Sequence, residues 1–182
     1  MLKMSKLGKK PILLPKDSTV KVDSGSLLVS GPKGTQKLIF NEKMFTSKIN
    51  EKNEFEISPK NKDKKSSLMW GTYRSLINNA VLGVTKGHEK NLELSGVGYR
   101  ASTKGDKLVF QLGFSHEVTY TIPKGINVKI EKQTKLNISG SDKELVSKVS
   151  ADIKSLKPVE PYKAKGIKEK DQYVIRKEGK KK

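Results

Sequence analysis

The chain contains no cysteine and only two histidines, His88 and His116. Without a thiol there is no disulfide, no thiolate metal site and no cysteine nucleophile. Neither histidine stands at a metal-ligand spacing from a second ligand-like residue, so no metal and no cofactor are expected. The adjacency of Ser115 and His116 is no sign of a catalytic triad, because neighbours on a strand point to opposite faces. Aromatics are scarce at 6%, and apolar residues reach only 34%, so any core is thin. No apolar run approaches the roughly 20 residues that span a bilayer. The start, Met1-Leu2-Lys3-Met4-Ser5-Lys6, lacks the apolar stretch of a signal peptide, and Met1 and Met4 are both possible first residues. A membrane role, an enzymatic role and a small-molecule substrate are therefore not expected.

Arginine and acidic residues are scarce too. There are 19 Asp and Glu against 38 Lys and Arg, for a net charge of +19, and only Arg74, Arg100 and Arg176 are arginine. Lysine is a compact point charge suited to phosphate neutralisation, whereas arginine is the usual reader of base edges. Such a composition points to a polyanionic partner gripped by its backbone. The excess is spread over both halves: residues 1–82 carry 16 basic and 7 acidic side chains, residues 83–182 carry 22 and 12.

The hydrophobic period divides the chain. Residues 1–17 are basic and punctuated by Pro11 and Pro15, and read as an N-terminal arm. Short strand-like runs follow at 18–22, 27–30, 35–40, 45–50 and 54–58, with turns at Gly31-Pro32-Lys33-Gly34 and Asn50-Glu51-Lys52-Asn53. From Lys64 to Leu82 the residues Met69, Tyr73, Leu76, Ile77, Ala80 and Val81 recur at spacings of three and four, which predicts a helix with one buried face. Gly83 then stands where a C-terminal cap glycine belongs. A first α+β domain over 18–82 follows from this.

Residues 83–157 repeat the order as a second α+β domain. Strand-like runs lie at 91–94, 97–102, 107–112, 118–122, 128–130 and 135–139. Ser141-Asp142-Lys143-Glu144 has the capping-box form, with Ser141 as the cap, and Pro158 stops the helix. Val20-Lys21-Val22 with Leu28-Val29-Ser30-Gly31 resembles Val128-Lys129-Ile130 with Asn137-Ile138-Ser139-Gly140. Phe55-Glu56-Ile57-Ser58 likewise matches Leu136-Asn137-Ile138-Ser139. The expected class is α+β: two similar small domains from an internal duplication, each an antiparallel sheet packed with a helix. Residues 158–182 form a basic extension, with one brief strand expected at Tyr173–Ile175.

Four runs, in order, resemble the bacterial-type ribosomal protein L-six family. They are Leu7-Gly8-Lys9-Lys10-Pro11-Ile12, Leu92-Glu93-Leu94-Ser95-Gly96-Val97-Gly98-Tyr99-Arg100-Ala101, Leu112-Gly113-Phe114-Ser115-His116, and Glu160-Pro161-Tyr162-Lys163-Ala164-Lys165-Gly166-Ile167 with Arg176-Lys177-Glu178-Gly179-Lys180-Lys181. The sequence departs from the family at Val159, where Pro is usual, at Ala164, where Gly is common, and at Glu117, where Pro is usual. The resemblance implies two similar α+β domains, the second being the main RNA-binding one. It also implies a ribosome-bound, cytoplasmic component of the large subunit whose partners are 23S rRNA and neighbouring proteins at the stalk base, near the factor-binding region. A basic nucleic-acid-binding module outside the ribosome, an RNA chaperone or architectural protein, is the alternative that charge alone leaves open.

The residues name their own candidates. Lys163 and Lys165 can neutralise phosphates, and Gly166 would let a backbone approach closely. Tyr162 either stacks on a base or ribose or packs on the domain. Arg176, Lys177, Lys180, Lys181 and Lys182 read as an RNA-inserting extension, and Lys9 and Lys10 as a contact from the N-terminal arm. Gly96-Val97-Gly98-Tyr99-Arg100 has no helix after it, so it is a strand bend rather than a nucleotide loop.

Overall fold

The computed structural model describes residues 5–23, 25–50, 53–61 and 63–179; Lys180, Lys181 and Lys182 lie outside the described residues. The chain forms two compact units, Met1–Gly87 and His88–Lys182.

The first unit runs β1 (Ile12–Leu13), β2 (Thr19–Asp23), β3 (Ser26–Gly31), β4 (Gly34–Ile39), β5 (Phe45–Ile49), β6 (Glu54–Pro59) and α1 (Lys64–Thr85). Strands β2, β3 and β4 form an antiparallel meander, and β1 and β5 flank β6 in a second sheet. Alternation drives Val20, Leu27 and Val29 of the meander and Phe55 and Ile57 of β6 inward, where α1 covers them. Between β3 and β4, Lys33 turns back on the end of the helix. Its backbone N–H donates to the Val84 carbonyl at 2.9 Å and its ammonium to the Lys86 carbonyl, so two terminal carbonyls of the helix are satisfied.

Three expectations change here. Helix α1 buries Ser66, Trp70, Ile77, Ala80, Val81 and Val84, while Met69 and Leu76 are exposed and Tyr73 is half-buried against Phe40 and Phe45. The apolar spacing allowed two neighbouring stripes; the large Trp70 indole decides between them, because its N–H reaches the Ile57 carbonyl at 2.7 Å. Gly83 is buried inside the helix rather than capping it, and the chain turns at Gly87. The helix therefore outruns the expected boundary at 82. Residues 5–17 are not a free arm: Ile12 is buried and pairs with Phe55, and Arg74 donates to the carbonyls of Lys10 and Pro11 at 3.2 Å each.

The second unit repeats this plan. Strand β7 (His88–Ser95) takes the place of β1, the meander β8 (Arg100–Lys104), β9 (Lys107–Gln111) and β10 (Val118–Thr121) that of β2 to β4, and the hairpin β11 (Ile126–Glu131) and β12 (Lys135–Gly140) that of β5 and β6. Helix α2 (Lys143–Leu156) follows as α1 does. The duplication is thus real, but one of the two sequence matches was out of place. Phe55–Ser58 and Leu136–Ser139 are equivalent, lying on β6 and β12. Val20–Gly31 belongs to the meander, whereas Val128–Gly140 is the later hairpin. Both hairpins alternate and end their second strand at a glycine, Gly31 and Gly140, so the local pattern does not separate them.

Asp142, one residue after the expected Ser141, caps α2, accepting from the backbone N–H of Glu144 at 2.9 Å and of Leu145 at 3.5 Å. Val146, Val149 and Ile153 pack on Leu92, Leu136 and Ile138. The Tyr120 hydroxyl donates to Asp152 at 3.1 Å, which ties the meander to the helix. After the helix the chain returns as β13 (Gly166–Glu169), antiparallel to β7. Tyr173 and Ile175 are exposed and form no strand. Residues 166–169 are a strand of the sheet instead of part of a free extension.

Candidate nucleic-acid interface

The pairing of Gly166 with Ser95 brings the start of β13 beside the end of β7. The turn Gly96-Val97-Gly98 follows, and its tip residue Val97 is 88% exposed. The Tyr99 ring folds back on Gly96 so closely that a side-chain carbon there would come within 2.7 Å of it, and the ring also borders Gly113. From Gly113 the loop leads to Phe114 and His116, whose rings stack with centroids 6.1 Å apart and planes 20° apart. The Lys157 ammonium lies 4.4 Å from the centre of the Phe114 ring, a cation–π contact. The Lys157 carbonyl accepts from Ile167, which returns the circuit to β13. Segments far apart in sequence thus meet at one end of the second unit.

The segment 160–165 is a tight turn on this end. Glu160 donates its backbone N–H to the Lys165 carbonyl at 2.8 Å, and Ala164 donates to the Glu160 carbonyl at 3.1 Å. Tyr162 and Lys163 project from it and are exposed, with Lys165 half-buried. The tail comes back to the same turn, where Lys177 donates its backbone N–H to the Pro161 carbonyl at 2.9 Å. That bond brings exposed Arg176 and Lys177 beside Tyr162 and Lys163.

Gly166 has a different reason for being glycine from the one expected. It is buried at φ +141°, and an added Cβ would meet the Pro158 carbonyl oxygen and the Val159 Cα, each at 2.7 Å. The close approach is to the chain's own backbone. Lys9 and Lys10 are exposed but belong to the first unit, where they neighbour Lys48 and Trp70.

Ion pairs sort the lysines into two groups. Glu169 Oε1 accepts from Lys154 at 2.8 Å and from Lys90 at 3.3 Å, and Glu93 lies 3.8 Å from both Lys135 and Lys168. The hydrogen bond from Lys154 and then that from Lys90 hold the Glu169 carboxyl below its ordinary pKa, against an opposing effect of burial. Lys90, Lys154 and Lys168 brace β13 against β7 and α2, and Lys135 ties β12 to β7. Lys157, Lys163, Lys165, Arg176 and Lys177 have no carboxylate partner among the described residues.

Sequence reasoning places Ser115 and His116 on a loop that could contact RNA, but it does not join Phe114 and Lys157 to them in one surface. The run Leu112–His116 stood out, but nothing in it signals a lysine at the end of α2 as its partner. Among the described residues no group of three His, Cys, Asp or Glu could hold a metal ion, and no helix is long and apolar enough to cross a membrane.

A family model described as "Ribosomal protein L6" matches residues 14–87 and again 95–170, one match for each repeat. The chain is similar to the large ribosomal subunit protein uL6 of a Nitratiruptor species, with 46% identity over 177 residues, or 97% of this chain and 98% of the relative. It is similar to uL6 of Erythrobacter litoralis at 46% identity over 179 residues, covering 98% of this chain and 100% of the relative. The uL6 of Beijerinckia indica subsp. indica is 42% identical over 179 residues, with the same coverage.

Proposed function

Since the chain belongs to the ribosomal protein L6 family, we propose that it is a structural constituent of the large ribosomal subunit that docks on 23S rRNA through the end of its second unit. One observation carries this reading: five cations without a carboxylate partner, those of Lys157, Lys163, Lys165, Arg176 and Lys177, share that end with the exposed aromatics Phe114 and Tyr162. Phosphates supply the missing counter-charges, and displaced counterions drive association. Lysine-rich chemistry fits recognition of a folded RNA backbone rather than of base edges. In the bound state Lys180, Lys181 and Lys182 extend this basic surface. The resemblance adds a position near the stalk base and the factor-binding region, beside neighbouring large-subunit proteins, in the cytoplasm, where the protein would support assembly and translation.

The test is binding of the intact chain to transcribed 23S rRNA across a series of salt concentrations. Affinity should fall steeply with salt. Lys163→Ala and Lys177→Ala should each lower the logarithmic salt slope by about one, as expected for a lost phosphate contact. Lys90→Ala should leave the slope unchanged, because that lysine is paired internally. A slope indifferent to Lys163, Arg176 and Lys177 would refute the assignment.

A further inference from the structure

We propose that Phe114 and His116, with Lys157, form a stacking platform for an unpaired nucleotide of the bound RNA; the inference rests on the rRNA-docking reading above and gives that surface a base-recognising element. The chain has five phenylalanines. Phe40, Phe45, Phe55 and Phe110 are 2%, 1%, 1% and 0% exposed, whereas Phe114 is 43% exposed and takes no part in the core of the second unit. Folding does not need this ring. Its exposed face is open to a flat partner, and it stands beside a second ring and a cation rather than alone.

The geometry suits a nucleobase. Two nearly parallel rings, Phe114 and His116, offer flat π surface, and His116 is exposed as well. The Lys157 ammonium lies over one face of the Phe114 ring, 4.4 Å from its centroid, so the base takes the ring surface that this cation leaves open, with the ammonium at hand for the nucleotide's phosphate. The loop is anchored at its base: Leu112 is fully buried, and the Tyr99 ring borders Gly113. The platform is therefore preorganised, and little conformational entropy is lost when a base settles on it. Bases inside an A-form duplex cannot be reached in this way, so the ligand is a nucleotide splayed from a loop, bulge or single strand.

Stacking and phosphate contact respond differently to salt, and this separates the proposal from the reading beneath it. Intact chain, Phe114→Leu, Phe114→Trp and Lys163→Ala are titrated with transcribed 23S rRNA over a range of potassium chloride concentrations. Phe114→Leu should weaken binding by roughly 5-fold or more at every concentration, with the salt slope unchanged. Phe114→Trp should bind at least as tightly as the unsubstituted chain. Its added indole should also lose fluorescence on RNA binding, while the native Trp70, 5% exposed, is unaffected. This optical readout does not depend on how well the leucine variant folds. If Phe114→Leu binds normally and the F114W indole keeps its emission at saturating RNA, while Lys163→Ala still lowers the slope, the platform is wrong and the docking reading stands. If the unsubstituted chain fails to bind 23S rRNA at low salt, both fall.

Discussion

Ala164 sits at φ +55°, in the left-handed region that costs an L-residue with a Cβ roughly 1 kcal/mol. The strain is held in the tight turn between Glu160 and Lys165, the same turn that projects Tyr162 and Lys163. Ala164→Gly should therefore stabilise the second unit, by up to about 1 kcal/mol after the added freedom of the unfolded chain is counted. Denaturant unfolding would show this as a higher midpoint, and an unchanged or lower one would contradict it. Two residues on, the sign reverses. Gly166→Ala would press a Cβ to within 2.7 Å of the Pro158 carbonyl oxygen and the Val159 Cα, backbone atoms that cannot swing away. A loss of about 2 kcal/mol or more is expected in the same measurement. The two substitutions exchange the same pair of residues, so the contrast tests backbone geometry alone.

Between elements, the Tyr120 hydroxyl bonds Asp152 and so joins the β8–β10 meander to helix α2. Burial, and then the hydrogen bond and charge of Asp152, push the tyrosine pKa from its ordinary 10.0 up to about 12. The folded protein thus keeps a proton that the unfolded chain sheds from pH 10.0 upward. Stability from this group is complete below that pH and declines as pH rises through the interval to about 12. Tyr120→Phe should lower the neutral-pH stability modestly and flatten the alkaline decline relative to the unsubstituted chain. Urea midpoints measured across that interval would decide, since parallel declines in the two proteins would mean Tyr120 is not responsible. Strand β13 is held differently, by its backbone pairing with β7 and by Glu169 between Lys90 and Lys154. Its four residues make it the least extensive strand of its sheet, yet Ile167 is 1% exposed and belongs to the core.

At the scale of the whole molecule, that core residue dictates where the chain can be cut. Ending it before residue 160 would remove Ile167 and bare the edge of β7. Such a protein should lose cooperative unfolding of the second unit, through a lost buried side chain worth about 2–5 kcal/mol and an unpaired edge. Ending it after residue 172 leaves β13 in place and removes Arg176, Lys177 and the terminal lysines. The longer form should keep the thermal transition of the full chain but bind 23S rRNA with lower affinity and a smaller salt slope. Equal rRNA affinity in that form would show that the tail does not contribute. The two repeats carry nearly equal formal charge, +9 over residues 1–82 and +10 over 83–182. Charge balance alone therefore does not distinguish them, whereas among the described residues the exposed aromatics Phe114, Tyr162 and Tyr173 all lie in the second unit.

Periodicity and composition located strands β2 to β12, the two helices, the duplicated α+β class and the polyanion-seeking charge, because these depend on spacing and residue type along a short stretch of chain. The run 160–167 was legible for the same reason, as a basic turn with an aromatic. The buried stripe of α1 was not, since the spacing fitted two faces and only the Trp70 bond to Ile57 selects one. The correct internal alignment, the sheet role of Gly166–Glu169 and the meeting of Phe114 with Lys157 were settled by tertiary structure. Each depends on residues far apart in sequence being brought within a few ångströms, a relation fixed by packing of the whole unit and carried by no local pattern.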